Sequence, residues 1–571
     1  LRALPFVGLL VALLVQSLCW LRWLPHADGG LGHDWSYFLP RLLAGEYHAA
    51  VSGIWDTPWF TPAFGAGLPL AAHPAGVWHS FPQWCAWLVG PLAAAQATLL
   101  ACTLVAYAGM YFYARDVLRV TPWIAVVAAF VLALEAFVPA RLVVGHLGFH
   151  SQALAPLLAW CLLRPGQSLA CIVGAALLAA YIVFSGNVYG APAIALWIAG
   201  AAAVAVWRGT DWRVFALRAS AALVLSLLLC AEKLYLAFAF VEHAPRDHYG
   251  LPLAESLLTN GALLAHVLVV GPAEALAAAW VQGGPKLERH EWEFLVGPVT
   301  VGFALFALLR VRRPVAALKP AMVAAVVLAA VLVLPLLLTT ESSLLRTAPW
   351  ARSASTLFRT WAVYAPLVAM GVGLALQSLS GRARQVFVTL VVVGAVVNAW
   401  WASSGPRDGL YNPRSVQAAH AALQSAPPPA IERVAWMSDA QGRPGLPIGR
   451  DDGLAQGVSQ LLPYEPLFGY RLERYPLHGL TPGPALEAQA DLLRLRDPLS
   501  WVEPESSGRA VGGRWTVAER SRAHSFAEYQ SISWPRSSAW TQALWCARVG
   551  WLLVALLVLW MVWSRRTVRS I

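Results

Sequence analysis

Asp34 lies about a dozen residues beyond the first long apolar segment, in the tripeptide Gly32-His33-Asp34. The surrounding stretch, LGHDWSYFLPRLLAGEYH, is dense in polar, aromatic and titratable groups. Ionised carboxylates are costly near a bilayer, so one kept at its edge marks a functional position, here a base acting at the membrane surface. The competing reading is a loop carboxylate that only caps a helix. A second constellation is Arg141-Leu-Val-Val-Gly145-His146-Leu-Gly-Phe-His150. With His146 and His150 spaced i, i+4, one helical face can present both imidazoles. They suit a phosphate alongside Arg141, or zinc if a third ligand is supplied from elsewhere. Interfacial side chains that reach for water would look the same. Further cations recur along the chain: Glu232-Lys233, then Arg246-Asp247-His248, then Arg289-His290-Glu291-Trp292-Glu293, and Phe358-Arg359-Thr360. A lipid phosphate needs such groups, arginine for forked contacts and lysine as a point charge.

The elements that must position these residues are membrane helices. The chain of 571 residues is 58% hydrophobic and 12% charged. No soluble domain of that length buries so much apolar side chain. Windows of roughly 20 apolar residues, the length that crosses a bilayer, fall near 3–20, 93–114, 122–139, 151–163, 168–185, 190–207, 214–232, 293–310, 320–338, 361–379, 386–402 and 546–563. The segment 258–282 is apolar but contains Asn260, His266, Pro272 and Glu274, and is expected to be a re-entrant or interfacial helical hairpin. The expected fold class is a mostly α, polytopic membrane protein of about twelve helices with a small α/β outer domain.

Alternate loops and the ends carry 16 basic residues against two acidic ones, Asp116 and Asp211. The positive-inside rule makes that side cytoplasmic, with both termini there. The net charge of +11 therefore points to topology and not to nucleic acid. All fourteen histidines fall on or near the opposite face, as do the long segments 21–92, 233–292 and 339–360 and the polar region 404–545. Leu39 to Val51 is expected to form a short helix on that surface. The region 404–545 is expected to be a separate α/β domain, with helices near 413–424 and 485–496 and strands at Ile431–Met437 and 513–518. It is tethered at both ends, which suits shaping of acceptor access. Domain boundaries are thus 1–403, 404–545 and 546–571. An introduced cysteine near Gly442 should react with an impermeant reagent added from outside; labelling only after the inner membrane is opened would reverse this topology.

The seven cysteines lie in or beside apolar spans with no Cys-x-x-Cys, and serve as small hydrophobes. There is no Walker-A, dinucleotide-binding or Gly-x-Ser-x-Gly pattern, so nucleotide hydrolysis and serine-hydrolase chemistry have no support.

Several stretches together resemble the GT-C superfamily of polytopic glycosyltransferases and, within it, bacterial YfhO-like membrane proteins. They are the Asp34 loop, Trp59-Phe60 with Gly65-Ala-Gly67-Leu-Pro69, Arg141 to His146, Glu291 to Gly297, Phe358-Arg359, and Tyr464-Glu465-Pro466-Leu-Phe-Gly469-Tyr470. The resemblance implies a polyprenyl-phosphate-linked sugar as donor and an envelope glycan, lipid or protein as acceptor, in a bacterial inner membrane. It assigns the general base to Asp34. Members commonly carry an Asp-x-Asp pair; here Gly32 stands at the first position and the next acid is Glu46, so a divalent metal is possible but no cofactor is certain. Donor-binding candidates are Arg141, His146, Lys233, Arg246 and Arg359, with His33, Glu46, His150, His248, His290 and Glu291 in support. The alternatives are a transporter or flippase of lipid-linked precursors and a non-catalytic envelope-assembly factor.

Overall fold

The computed structural model describes residues 3–25, 34–55, 71–166, 169–187, 189–243, 251–283, 287–309, 318–348, 356–404, 433–435, 458–460, 514–516 and 538–569. These are mostly helical, and eight helices among them are long and apolar enough to cross a membrane. Each belongs to a span expected from hydropathy. The expected spans at 151–163, 168–185 and 190–207 are also helices, but shorter: Leu147–Leu163, Leu169–Phe184 and Ala191–Trp207. The first of these begins as a 3-10 helix, Leu147–Leu154, before turning α at Ala155. At about 1.5 Å per residue, Leu169–Phe184 and Ala191–Trp207 reach roughly 25 Å, short of a 30 Å hydrocarbon core, whereas the 3-10 turns of Leu147–Leu163, at about 2.0 Å per residue, stretch it to about 30 Å. The span at 293–310 is the helix Pro298–Leu309.

Lipid and protein divide the helices by enclosure. In Leu4–Trp23 only 22% of the apolar window is buried, and Phe6, Leu10 and Leu18 are exposed. In Ala539–Val562 the share is 17%. The two most enclosed spans are Pro122–Val143, 94% buried, and Phe358–Ser378, 83% buried. Arg141 lies at the end of the first and Arg359 at the start of the second, so the best-packed part of the molecule holds both guanidiniums. Pro122–Val143 is broken at Leu134–Ala136. There the Glu135 carboxylate accepts hydrogen bonds from the backbone N–H of Phe137 (2.5 Å) and Val138 (3.0 Å), satisfying two of the donors that open the helix Phe137–Val143.

The segment 258–282 is a helical hairpin, as its polar content suggested. Helices Leu257–Val269 and Glu274–Trp280 are bracketed by a two-stranded antiparallel ladder, β1 (Leu253–Ala254) with β2 (Val281–Gln282). A Ser256–Thr259 capping box starts the first helix. The expected surface helix at 39–51 is longer, Trp35–Ser52, and is not on the surface: Leu39, Leu42 and Leu43 are fully buried and Arg41 nearly so. It packs against Phe81–Val89, where Gln83 donates to the Leu42 carbonyl at 3.0 Å. Its apolar side chains at i, i+3 and i+4 had too wide a stripe to stay in water.

Of region 404–545, three strands are described, β3 (Arg433–Ala435), β4 (Val458–Gln460) and β5 (Arg514–Thr516), in the order β4-β3-β5 with β3 parallel to β4 and antiparallel to β5. Two of them fall within the expected strands. The expected helices near 413–424 and 485–496 lie outside the described residues.

Candidate active site

Asp34 is placed by a turn of the chain 110 residues further on. Its N–H donates to the Val144 carbonyl at 2.9 Å, and the Trp35 indole donates to the Val143 carbonyl at 3.0 Å. This fit depends on Gly145. Its φ is +94°, which glycine adopts without strain, and a Cβ there would meet Trp35 N at 2.3 Å and the Asp34 carbonyl carbon at 2.5 Å. Asp34 occupies the N-cap position of the helix Trp35–Ser52, but its carboxylate makes no capping bond. It turns instead to His146, with Oδ2 at 2.7 Å from Nε2. The helix-cap reading is thereby set aside on geometry.

From His146 the contacts continue inward. Arg141 Nη1 lies 3.3 Å from His146 Nδ1. A guanidinium only donates, so Nδ1 accepts and the imidazole hydrogen sits on Nε2, pointing at Asp34. Burial lowers the pKa of His146, and the pull of Asp34 restores it only in part, so the ring stays neutral. Arg141 Nη2 reaches Glu291 Oε2 at 2.7 Å, and Arg359 grips the same carboxylate with Nη2 at 2.6 Å and Nε at 3.2 Å. Burial by itself would raise the Glu291 carboxyl; the two guanidiniums outweigh it and hold the group well below the ordinary carboxylate range. His290 stands 4.9 Å from the His146 ring, edge to face, and burial pushes it down to about 4.

Aromatic rings set the angles of these cations. Phe149 lies under both, 5.3 Å from the Arg141 guanidinium and 5.4 Å from that of Arg359; Phe137 adds a contact to Arg141 and Tyr189 one to Arg359 at 5.1 Å. Trp292, beside Glu291 in a short 3-10 helix, packs on Phe358 at 4.8 Å, beside Arg359. Sequence reasoning missed Phe137, Phe149 and Tyr189, because an aromatic in an apolar run carries no local mark of what it faces.

The structure thus gathers Asp34, Arg141, His146, His290, Glu291 and Arg359. Lys233 has other partners: its ammonium donates to the carbonyls of Ala71 (2.8 Å) and His73 (2.7 Å), and burial pushes its pKa down to about 7. It ties a connecting segment to the helix Ala231–His243 and does not join the arginines. Lys233→Met should leave two buried carbonyls unpaired, at about 1–3 kcal/mol each. The expected result is a lower melting temperature with unchanged donor affinity; the reverse pattern would return Lys233 to the phosphate.

Glu46 is 12 positions along the helix from Asp34, about 18 Å away along its axis. Burial raises its carboxyl to about 8. His150 also departs from expectation. The residues Leu147–Leu154 wind as a 3-10 helix, in which positions four apart point roughly 120° apart and not along one face. His150 Nδ1 is 2.7 Å from the Leu147 carbonyl and Nε2 is 2.6 Å from the Tyr181 hydroxyl, so both nitrogens are occupied. His33, Arg246 and His248 lie outside the described residues.

The donor atoms of His146, His290 and Glu291 come within 4.8 Å of one another, which is metal-like spacing. The arrangement does not fit a divalent cation. Both Glu291 oxygens are held by guanidiniums, and both His146 nitrogens are engaged. A dication there would face two fixed positive charges at a few ångströms in a poorly screened site.

No family model and no curated protein matches this chain. Among solved structures it is similar to the apo oligosaccharyltransferase of Archaeoglobus fulgidus, at 14% identity and a TM-score of 0.43, over 73% of this chain and 58% of that one. It is also similar to the oligosaccharyltransferase AglB of the same organism, solved with an inhibitory peptide and a dolichol-phosphate, at 16% identity and a TM-score of 0.45, over 81% and 64% of the two chains. The chain spans about three-fifths of the length of these proteins.

Proposed function

We propose that this chain is a membrane glycosyltransferase of GT-C type. It moves a sugar from a polyprenyl-phosphate donor to an envelope glycan, lipid or protein at the face of a bacterial inner membrane opposite the basic loops. The resemblance to YfhO-like proteins is part of the same reading. The observation that carries it is the joining of Asp34, partly open to solvent, to buried Arg141 through one neutral histidine, with Glu291 linking Arg141 on to Arg359.

The chemistry follows from the roles those groups can fill. Asp34 takes the proton from an acceptor hydroxyl as its oxygen bonds to the sugar C1. The bond from C1 to the phosphate oxygen breaks, its electron pair leaves with the phosphate, and the anomeric centre inverts. His146 Nε2–H holds Oδ2 and sets the angle at which the carboxylate meets the acceptor hydroxyl. Arg359 engages Glu291 through Nε and Nη2, so Nη1 lies outside that pair and is the nitrogen best placed for the departing phosphate. Arg141 is fully buried and committed to Glu291 and His146, which makes it a positioning residue.

The test uses purified full-length protein in nanodiscs. Polyprenyl phosphate at a hundredfold over its Kd should stabilise it by about 2.7 kcal/mol, and Arg359→Met should remove most of that. A panel of polyprenyl-phosphate hexoses and pentoses should include one that releases polyprenyl phosphate in the presence of acceptor. Protein that is folded yet gains no stability from the lipid phosphate and releases it from no donor would rule the reading out.

A further inference from the structure

A large cleft lies far from the candidate active site, at the opposite ends of the helices. It is bounded by Ala191–Trp207, Trp212–Leu229 and Leu318–Leu338 and has a volume of about 660 Å³. That is within the range of about 300–1,000 Å³ typical of sites for small organic ligands. It arises from packing. Leu318–Leu338 lies against Ala191–Trp207 through Ala203, Val206 and Ala324, whereas Trp212–Leu229 turns to Leu169–Phe184. The wedge between them is walled by small side chains, Ala195, Ala199 and Ala216, and by Phe215, Val323 and Val327. Val323 is 63% exposed, so the cleft opens sideways on the surface that meets lipid.

Its depth and its rim are informative. From Val206 to Ala195 is eleven residues, and from Lys319 to Val327 eight, or about 16 Å and 12 Å along the two helices. That is roughly half of a 30 Å hydrocarbon core, the thickness of one leaflet. The rim lies at the basic-loop side. Lys319 lines it, and Arg213 sits over the ring of Trp212, which also lines it, at 5.9 Å. Asp211 is nearby but caps its own helix, accepting from the Arg213 N–H at 2.9 Å, and Arg208 is committed to the Leu118 carbonyl at 2.9 Å. Two basic side chains therefore stand over an apolar cleft one leaflet deep. We propose that the cleft holds the acyl chain of an anionic glycerophospholipid from that leaflet, with its phosphate on Lys319 and Arg213.

The full chain, reconstituted in bilayers of equimolar phosphatidylglycerol and phosphatidylcholine, would be examined by native mass spectrometry. Retained phosphatidylglycerol should exceed phosphatidylcholine by about fivefold per basic group, the effect of one cation near an anionic headgroup. Lys319→Ala changes an exposed side chain and should fold normally; it should lower that preference about fivefold while lipid is still carried. Filling the cleft with Ala195→Phe and Ala216→Phe should abolish retention. Equal retention of the two lipids by the parent, a preference indifferent to Lys319→Ala, or a lipid-free dimer that the filled variant loses would each overturn the proposal. The last result would make the cleft an interface between two copies.

Discussion

Asp34→Asn should slow sugar transfer by about a hundredfold to ten-thousandfold, the usual cost of removing a general base. The substitution keeps the side-chain shape, and the amide oxygen can still accept from His146 Nε2–H, so the turn built on Val144 and Gly145 stays in place. What is lost is the capacity to take a proton. Melting temperature and affinity for polyprenyl phosphate should both stay near the parent values, because Asp34 is partly exposed and the amide keeps the bond from His146. Single-turnover transfer with the donor identified above is the measurement. Near-parental turnover by the Asn variant would exclude Asp34 as the base and return its carboxylate to a role in holding His146.

Glu291→Gln should have the largest effect on stability. The substitution leaves Arg141, fully buried, and Arg359, nearly so, without their shared counter-charge. Breaking a buried pair by removing one partner costs about 3–5 kcal/mol. Removing a guanidinium as well, in Glu291→Gln with Arg359→Gln, should recover much of that stability without recovering transfer. A coupling energy well above 0.5 kcal/mol across this cycle, from melting curves, is the expected signature. Additive losses would show that the carboxylate does not hold the two arginines.

The same cluster sets a pH dependence. The folded pKa values of His146 and His290 lie below the ordinary value, that of His290 at about 4. The unfolded chain therefore binds protons first as pH falls through 6.5, and stability declines over the window from about 6.5 to 4. Glu291, also depressed, adds a further loss as pH falls below the ordinary glutamate value of 4.5. Glu46, raised to about 8, works in the opposite sense over the same range, so the readout is the difference between parent and His290→Phe: the variant's melting temperature should fall less than the parent's as pH drops from 7 to 4.5. Equal falls in the two proteins would contradict this account.

Hydropathy and charge asymmetry were enough to call the chain polytopic and to place the helices, because burial in lipid is a property of each segment by itself. The same holds for the hairpin at 258–282, whose polar residues argued against a simple crossing. Asp34, Arg141, His146 and Arg359 were also visible, since a charged group at the edge of an apolar run stands out without reference to anything else. Their grouping was not visible. Asp34 meets His146 only because Gly145 lets two distant turns touch backbone to backbone, and no local pattern records which turns will meet. Lys233 and Glu46 looked equivalent to the others along the chain and are directed elsewhere by packing. The His146–His150 pair failed because its spacing assumes 3.6 residues per turn where the chain winds at three. Glu291 shows the division most clearly. Its charge and position were legible, but only the tertiary structure fixes it between two arginines, because an ion pair depends on where side chains end up and not on how far apart they lie in sequence.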